Sequence, residues 1–461
     1  MNCKHLIVTV LCLGLASIFY CEAKTTKTTS NTHYSGNPLL PGDFADPCIL
    51  QFKDTFYIYA TAWDSKDAIV WYSANFIDWK MRKLNWPTTK IGEVIWAPCV
   101  VKGKDGRFYF YSATGHNIYV GAANHPMGPF KNLLPNEQPL VKNRQYWHDM
   151  HSIDADCFID DDGQAYLYYG SGHDWKNGMC AVGRLNDDMC SFKETPVLVT
   201  PKNYFEAPHL MKRNGVYFLM YSDGICIEDS YKVRYATSKS PLGPFNEGVN
   251  SPILTNTPDS LSWSSGHHYT IRFGNKDYIA YHKQAIPIYS PFWGPIRQVA
   301  FDEMKVGNDS IIQKVIPTRN GVIPTFAKNK TYCEPLHIVK ATASAQISKA
   351  YSADKAFDNH NGTLWAAHAG KPAWIKADLG KITTVKSVVP VFDIIAGDYV
   401  FGIEYSLDDK NWKKYDDFKN NDAKEWPRAS IKSVKARFVK LTVKSQTSEP
   451  KRIGLWELKI Y

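Results

Sequence analysis

One pattern recurs five times along the chain: a turn pair followed by an alternating strand rich in tyrosine and phenylalanine. The five segments are residues 53–59, 105–111, 162–168, 214–221 and 275–281. Asp-Gly and Asn-Gly pairs favour hairpin turns because their central residues adopt positive φ, and alternating aromatic and β-branched residues favour strands. Marked at residues 54, 106, 163, 215 and 276, the repeats follow at intervals of 52, 57, 52 and 61 residues. A period of this size predicts five blades of a β-propeller.

A second repeat supports this interpretation, because the Pro-Met-Gly-Pro-Phe sequence at 126–130 recurs as Pro-Leu-Gly-Pro-Phe at 241–245. A β-sandwich of repetitive hairpins is the alternative. The pattern changes after a linker over 326–335, and short strands such as 401–406 and 436–443 then predict an antiparallel sandwich. We therefore expect an all-β protein, with a five-bladed propeller over 36–325 and a β-sandwich over 336–461. Regions of this size can fold alone, so we expect the propeller to work without the tail.

The N-terminus predicts a signal peptide over 1–23. Lys4 precedes an apolar run over 6–20, and small residues suit cleavage after Ala23. Lipid attachment at Cys21 is the alternative, and residues 24–35 form a polar leader. No later apolar run is long enough to span a membrane. We expect an exported monomer, periplasmic or secreted.

Composition narrows the function. The net charge of +9 comes from interspersed charges, which argues against a nucleic-acid partner. Seven cysteines remain after the signal peptide, without a Cys-x-x-Cys pair, so a thiolate zinc site is not expected. Free buried thiols are the preferred interpretation, and a disulfide between Cys180 and Cys190 is the alternative.

Three acidic residues stand in apolar segments, where an unpaired charge is costly. Asp46, Asp154 and Glu206 each precede the turn of their repeat by eight residues. Equal offsets place them at equivalent positions of three blades, where they can converge on the propeller axis. His267 has the same offset in the fifth repeat, and Trp96 stands one residue from it in the second. For each acid taken alone, a turn or capping role is the alternative.

The ordered motifs around these residues resemble glycoside hydrolase family 43 over residues 36–320. The motifs are Ala45-Asp46-Pro47, Trp96-Ala97-Pro98, Ile153-Asp154, Phe205-Glu206-Ala207-Pro208 and Gly266-His267-His268. The resemblance implies a five-bladed propeller and inversion of the anomeric centre. It implies that Asp46 is the general base, Glu206 the general acid, and Asp154 the residue that orients the acid and tunes its pKa.

The same resemblance assigns further residues to the site. His267 matches a histidine that faces an axial calcium or water site, and Arg297 matches a late active-site arginine. Independently of the resemblance, Trp63, Trp71, Trp96 and Trp175 are candidates to stack on sugar rings, and for Trp71, as for Trp79, the blade core is the preferred alternative. Cys99 stands where the family usually has a polar or acidic residue, which predicts an altered pocket wall.

The tail resembles the discoidin, or coagulation factor 5/8 type C, domain, which overlaps with carbohydrate-binding module family 32. The resemblance rests on residues 353–358, 363–365, 374–380, 436–441 and 456–458. It implies a sugar-binding accessory domain with a structural calcium near Asp358, Thr363 and Glu457. A purely structural buttress is the alternative, because Trp365 and Trp374 lie in motifs that normally pack the core.

The resemblance to family 43 implies an inverting, exo-acting glycoside hydrolase. Inverting hydrolysis needs an ionised base and a protonated acid on opposite sides of the sugar ring. The terminal sugars expected to be removed are α-L-arabinofuranosyl or β-D-xylosyl residues of plant-type polysaccharides or oligosaccharides. No organic cofactor is expected, and calcium is the one metal considered. A galactosidase or galactofuranosidase of the same fold, or a non-catalytic carbohydrate-binding propeller, is the alternative.

Overall fold

The structure is a computed structural model. It describes residues 36–63, 65, 67–84, 86, 94–172, 175–289, 295–324, 327, 332–394, 397, 399–418, 425–446 and 451–461. The predicted signal peptide with Cys21, the polar leader and most of the predicted linker lie outside the described residues. In the described part of the chain, no helix is long and apolar enough to cross a membrane.

Five antiparallel sheets follow one another along the chain as blades 1 to 5. Blade 1 contains Phe44–Phe52, Thr55–Ala62, Ile69–Ser73 and Lys80–Lys83. Blade 2 contains Trp96–Lys102, Phe108–Thr114, Asn117–Ala123 and Lys131–Asn132. Blade 3 contains Asp156–Ile159, Ala165–Tyr169, Ala181–Arg184 and Val197–Leu198. Blade 4 contains Glu206–Arg213, Val216–Asp223, Lys232–Ser238 and Asn246–Glu247. Blade 5 contains Gly266–Phe273, Lys276–Tyr289 and Pro295–Met304.

The first strand of each blade is the inner strand of a closed ring. Each inner strand contacts the inner strands of both neighbouring blades, and the inner strand of blade 5 contacts that of blade 1. The predicted five-bladed propeller is therefore confirmed. Between blades 2 and 3 of the chain, Pro135–Glu137 forms a short 3-10 helix, and Met150–His151 pairs in a separate ribbon with Ser171–Gly172, which follows the second strand of blade 3.

The hairpin turns differ in length between blades. In blade 4, Asn214 and Gly215 form a two-residue turn with φ of 52° and 71°, as the sequence predicts. In blades 2 and 3 five residues connect the strands, over 103–107 and 160–164. In blade 5 the two connecting residues are Gly274 and Asn275, one residue earlier than predicted.

The second repeat joins neighbouring blades. The Tyr59 hydroxyl of blade 1 donates to the carbonyl oxygen of Pro126 in blade 2 at 2.6 Å. The Tyr168 hydroxyl of blade 3 donates in the same way to Pro241 in blade 4. Pro126 and Pro241 are the first residues of the two Pro-x-Gly-Pro-Phe sequences. Each copy therefore satisfies a buried tyrosine of the preceding blade, as buried hydroxyl groups require.

The N-terminal segment covers the outer edge of blade 5, which has three strands. The Leu39 amide donates to the Val299 carbonyl oxygen at 2.7 Å. The Asn37 side chain accepts from the Phe301 amide at 2.8 Å and donates to Asp302 Oδ2 at 3.0 Å. These bonds pair backbone groups that an open sheet edge would leave exposed.

The C-terminal region forms the predicted β-sandwich. Its strands are Lys340–Ala343, Trp365–His368, Ala373–Phe392, Tyr399–Ser406, Trp412–Phe418, Ser430–Gln446 and Arg452–Ile460. Short 3-10 helices cover Lys349–Tyr351 and Ala353–Ala356. The long strand Ala373–Phe392 pairs first with Ser430–Gln446 and at its end with Arg452–Ile460. Trp365 is fully buried as expected, whereas Trp374 is only half-buried and lies beside Lys376.

The sandwich packs directly on blade 1. Glu425–Trp426 from the tail pairs with Lys80–Lys83 as a fifth strand of that blade. The rings of Trp426 and Trp71 meet edge-to-face at 5.3 Å, and Trp456 belongs to the same buried cluster. Trp71 is fully buried, as predicted for the blade core. The tail and blade 1 thus share a buried core, and the independent folding of the propeller stays a prediction.

The described cysteines are all free, and five of the seven are buried. The preferred sequence interpretation is thus correct, and Cys180 and Cys190 form no disulfide. Cys99 is only 3% exposed and packs in the core between blades 2 and 3. Its thiol lies 3.8 Å from Asp156 Oδ1. The prediction that Cys99 alters a pocket wall is wrong, because the side chain points into the core beneath the pocket.

Candidate active site

The start of the inner strand has an unusual backbone in every blade, and in all blades except blade 3 the pairing register shifts there. Pairing registers shift between Ala45 and Cys48, Trp96 and Cys99, Glu206 and His209, and Gly266 and His268. One residue at each start has a left-handed φ: Asp46 at 54°, Ala97 at 45°, Asp154 at 58°, Ala207 at 58° and His267 at 40°. Such φ values are uncommon for residues other than glycine and often mark functional positions. Bulges of this kind re-aim side chains, here toward the axis.

This alignment corrects one step of the sequence argument. Asp46, Asp154 and His267 occupy the left-handed position, but Glu206 lies one residue before it, at the place that Trp96 holds in blade 2. Each acid precedes the turn of its repeat by eight residues, but the hairpin connection has two residues in blade 4 and five in blade 3. The equal counts therefore do not correspond to equal positions on the inner strands. Glu206 still reaches the same cavity as the two aspartates.

The inner strands surround one cavity of about 430 Å³, within the usual size range of small-molecule sites. It is lined by Asp46, Trp63, Trp96, His116, His151, Ile153, Asp154, Ser171, Gly172, Trp175, Phe205, Glu206, Cys226, His267 and Arg297. All the residues predicted for catalysis and substrate binding except Trp71 are in this set. His116, His151 and Cys226 were not predicted from the sequence, because they come from connecting segments outside the repeated strands.

Asp46 is surrounded by basic groups. Its Oδ1 lies 3.2 Å from Arg297 Nη1, 3.1 Å from His282 Nδ1 and 3.3 Å from His267 Nδ1. The Thr61 hydroxyl donates to Oδ2 at 2.6 Å. Burial alone would raise the pKa of Asp46, but Arg297 and the two histidines outweigh it and hold that pKa well below its ordinary value. Asp46 is therefore ionised at neutral pH.

Glu206 has the opposite environment. Its side chain is buried, and its Oε1 accepts a hydrogen bond of 2.9 Å from the Tyr231 hydroxyl. Burial raises the pKa of Glu206 to about 7, with the Asp46 charge adding to the rise and Tyr231 and Arg297 opposing it. Glu206 can therefore hold a proton near neutral pH and release it to a partner.

Asp154 links the two other acids. Its Oδ2 accepts from the Ala207 amide at 3.1 Å, directly beside Glu206, and lies 3.9 Å from His267 Nδ1. Burial raises the pKa of Asp154 well above its ordinary value, and the charges of Glu206 and Asp46 raise it further. Asp154 thus fixes the backbone that carries Glu206 and couples electrostatically to it.

Aromatic rings form the walls of the cavity. Trp63 lies under the Arg297 guanidinium, 5.9 Å from it, and 6.2 Å from the ring of Trp96. The Trp96 ring meets His116 edge-to-face at 5.0 Å, and His116 stacks on His151 at 4.2 Å. The cavity therefore combines charged groups at its base with flat apolar surfaces, a combination that suits a sugar with polar edges and apolar faces.

The predicted axial metal position at His267 has nitrogen-rich surroundings. His268 and His282 are buried nearby, and neither ring nitrogen of His268 has a hydrogen-bond partner among the described residues. Calcium takes six to eight oxygen ligands, so a calcium ion here would draw most of its shell from water. In the described part of the chain, no three His, Cys, Asp or Glu side chains are arranged to hold a metal. The axial calcium or water site stays a prediction.

The three residues predicted to bind calcium in the tail lie together. Thr363 Oγ1 is 2.8 Å from Asp358 Oδ2, and the His360 amide donates to both Asp358 Oδ1 and Glu457 Oε1. Glu457 is 3% exposed. The three side chains offer only oxygen atoms as metal ligands, and oxygen is the ligand that calcium prefers.

Comparison with known proteins identifies both regions. Residues 35–312 match the glycosyl hydrolases family 43, and residues 340–458 match the F5/8 type C domain. A beta-D-galactofuranosidase from Aspergillus niger is 32% identical over 284 residues, which cover 56% of this chain and 79% of that protein. A xylosidase/arabinosidase from Bacteroides ovatus is 27% identical over 335 residues, covering 59% of this chain and 95% of that protein.

A solved structure described as a glycoside hydrolase resembles almost the whole chain. It is 25% identical, with a TM-score of 0.78, and the match covers 94% of this chain and 100% of that one. The match therefore includes both the propeller and the sandwich. The chain is a glycoside hydrolase that belongs to glycosyl hydrolases family 43, and it carries an F5/8 type C domain at its C-terminal end.

Proposed function

We propose that the chain is an inverting, exo-acting glycosidase in which Asp46 is the general base and Glu206 the general acid. One observation carries this proposal: two carboxyl groups of the same cavity have pKa values displaced in opposite directions. Groups whose environments separate their pKa values in this way are suited to acid and base roles.

In the proposed reaction, the ionised Asp46 takes a proton from a water molecule while the water oxygen attacks the anomeric carbon. The bond from that carbon to the glycosidic oxygen breaks, and this oxygen takes the proton of Glu206. Asp46 ends protonated and Glu206 ionised, and exchange with solvent restores both. Attack opposite the leaving group inverts the anomeric centre. Arg297 stabilises the ionised base, and Asp154 positions the acid through the Ala207 amide.

For the sugar, we propose a terminal α-L-arabinofuranose or β-D-xylose on a plant-type polysaccharide or oligosaccharide. The support is the relative from Bacteroides ovatus described as a xylosidase/arabinosidase. A second candidate is β-D-galactofuranose, favoured by the relative from Aspergillus niger described as a galactofuranosidase. β-D-galactofuranose has the ring configuration of α-L-arabinofuranose with one further exocyclic carbon, so one cavity could accept either sugar.

We also propose that the protein is exported as a monomer and that its tail binds calcium through Asp358, Thr363 and Glu457. The ion would cross-link the loop over 358–363 to the last strand and would take no part in the chemistry. Sugar binding by the tail, which the domain type suggests, is proposed at the same level.

A panel of nitrophenyl glycosides tests the sugar, and two substitutions test the roles. Asp46→Asn should abolish turnover without preventing substrate binding. Glu206→Gln should slow natural substrates far more than nitrophenyl glycosides, because a good leaving group needs little protonation. The matched control is Glu194→Gln, which removes a carboxylate paired with Arg184 on the outside of blade 3. Equal slowing on both substrate types would contradict the role of Glu206.

A further inference from the structure

An exposed tryptophan stands at the mouth of the cavity. Trp175 lines the cavity and is nevertheless 49% exposed, although large aromatic rings usually bury most of their area. One side of its ring stacks on Phe205, with centroids 6.3 Å apart and ring planes 15° from parallel. Trp175 is therefore supported from one side by an offset stack and presents apolar surface to solvent.

The backbone holds this tryptophan in a fixed place. Trp175 and Asn177 both have left-handed φ, at 59° and 44°, a conformation that costs energy and persists only where surrounding contacts enforce it. At Gly178 an added Cβ would lie 2.3 Å from the Phe205 Cα, and at Gly172 it would lie 2.0 Å from the Lys176 carbonyl oxygen. Gly178 is thus pressed against the residue that precedes Glu206, and Gly172 against Lys176.

This position defines which side of the scissile bond Trp175 faces. A general acid must stand beside the leaving oxygen, since it transfers its proton there. Phe205 is adjacent to Glu206 in the chain, and Trp175 is stacked on Phe205. Asp46, whose role is on the opposite face of the sugar, comes from blade 1. The stacked pair therefore borders the leaving-group side of the cavity.

We propose that Trp175, supported by Phe205, is the platform for the sugar ring of the leaving group. This inference rests on the proposed function and adds to it the residue that recognises the leaving group. The C–H face of a pyranose ring is flat and apolar, so it can cover an exposed indole, whereas a small alcohol cannot. Trp175 acts on specificity, because it touches the departing sugar and not the reacting atoms.

The test compares wild type, Trp175→Ala and Trp175→Phe on two measurements for the sugar identified by the glycoside panel. One is kcat/KM for an oligosaccharide that ends in that sugar. The other is the inhibition constant of the free sugar, which occupies only the inner part of the cavity. We expect Trp175→Ala to lower kcat/KM about tenfold, the size of one lost stacking contact, and to change the inhibition constant less than about twofold. Trp175→Phe should recover most of the loss, because a smaller ring still stacks.

A matched control is Trp412→Ala, which removes a partly exposed tryptophan of the tail that packs under Lys440 and should leave both measurements unchanged. Equal losses in kcat/KM and in free-sugar affinity would overturn the platform, because they would place Trp175 against the inner sugar. An unchanged kcat/KM in Trp175→Ala would also overturn it. Wild-type inactivity on every glycoside and oligosaccharide would instead refute the proposed function, so the two failures are distinguishable.

Discussion

The contact between Trp426 and Trp71 joins the tail to the buried core of blade 1. Trp426 is 2% exposed, pairs with blade 1 as part of its fifth strand, and meets the Trp71 ring at 5.3 Å. We predict that Trp426→Ala lowers the free energy of unfolding of the whole chain, although the substituted residue belongs to the tail.

The magnitude follows from the burial. A buried tryptophan covers about 150–250 Å², which at about 25 cal/mol per Å² contributes about 4–6 kcal/mol. The indole N–H of Trp426 has no partner among the described residues, and removing such a donor recovers about 1–3 kcal/mol. The net loss should be about 3 kcal/mol, at the lower end of measured Trp-to-Ala effects.

Urea unfolding, followed by tryptophan fluorescence and by residual activity on a nitrophenyl glycoside, measures this loss. The control is Ile431→Ala, which lies in a tail strand but is 54% exposed and should change the free energy by less than about 0.5 kcal/mol. Activity and fluorescence should fall together at a lower urea concentration in Trp426→Ala. A tail transition that moves alone, while activity keeps its wild-type midpoint, would refute the shared core.

Three further predictions concern the acids and the tail. The kcat/KM should fall as pH rises through about 7, where Glu206 loses its proton. In Tyr231→Phe this fall should move to higher pH, because the hydrogen bond from Tyr231 stabilises the ionised form of Glu206 in the wild type. A fall at the same pH in both proteins would contradict the assignment of Glu206 as the general acid. Asp154→Asn keeps an acceptor for the Ala207 amide and should retain more activity than Asp154→Ala, measured as kcat; equal losses would show that the charge alone matters. Calcium should raise the melting temperature of the full chain in calorimetry, and Glu457→Gln should remove that rise, whereas a rise of the same size in the variant would exclude this site.

The repeat was sufficient to predict the fold because its regularly spaced aromatic residues are the side chains buried between the blades. Tyr59 and Tyr168 are fully buried in the second strands of their blades, so their alternation in the sequence follows the packing between blades. The second repeat was informative for the same reason, since its prolines accept hydrogen bonds from these two tyrosines.

The site was only partly predictable. Asp46 and Asp154 could be found because they occupy a repeated backbone position, but Glu206 was located through an offset that differs by one residue from theirs. The partners of Asp46 on the second strands, Thr61 and His282, also occupy a repeated position. They pair with the residue just before each irregular start, as Ser222 does in blade 4.

Other residues had no such signal. His116 and His151 reach the cavity from connecting segments whose course depends on tertiary packing, and Tyr231 reaches Glu206 from the segment before a third strand. The contact between Trp426 and blade 1 joins positions more than 340 residues apart, so neither periodicity nor local composition could indicate it. The sequence suggested two independent regions for this reason.

The stereochemistry of hydrolysis tests the central claim most directly. Proton NMR of the first sugar released, recorded before its anomers equilibrate, reports which face of the anomeric carbon the water attacked. With Asp46 acting as base on water and Glu206 as acid on the leaving oxygen, the first product must have the anomeric configuration opposite to that of the substrate. A first product that retains the configuration would mean a covalent intermediate on one of the carboxylates, and the assignment of Asp46 as the base would be wrong.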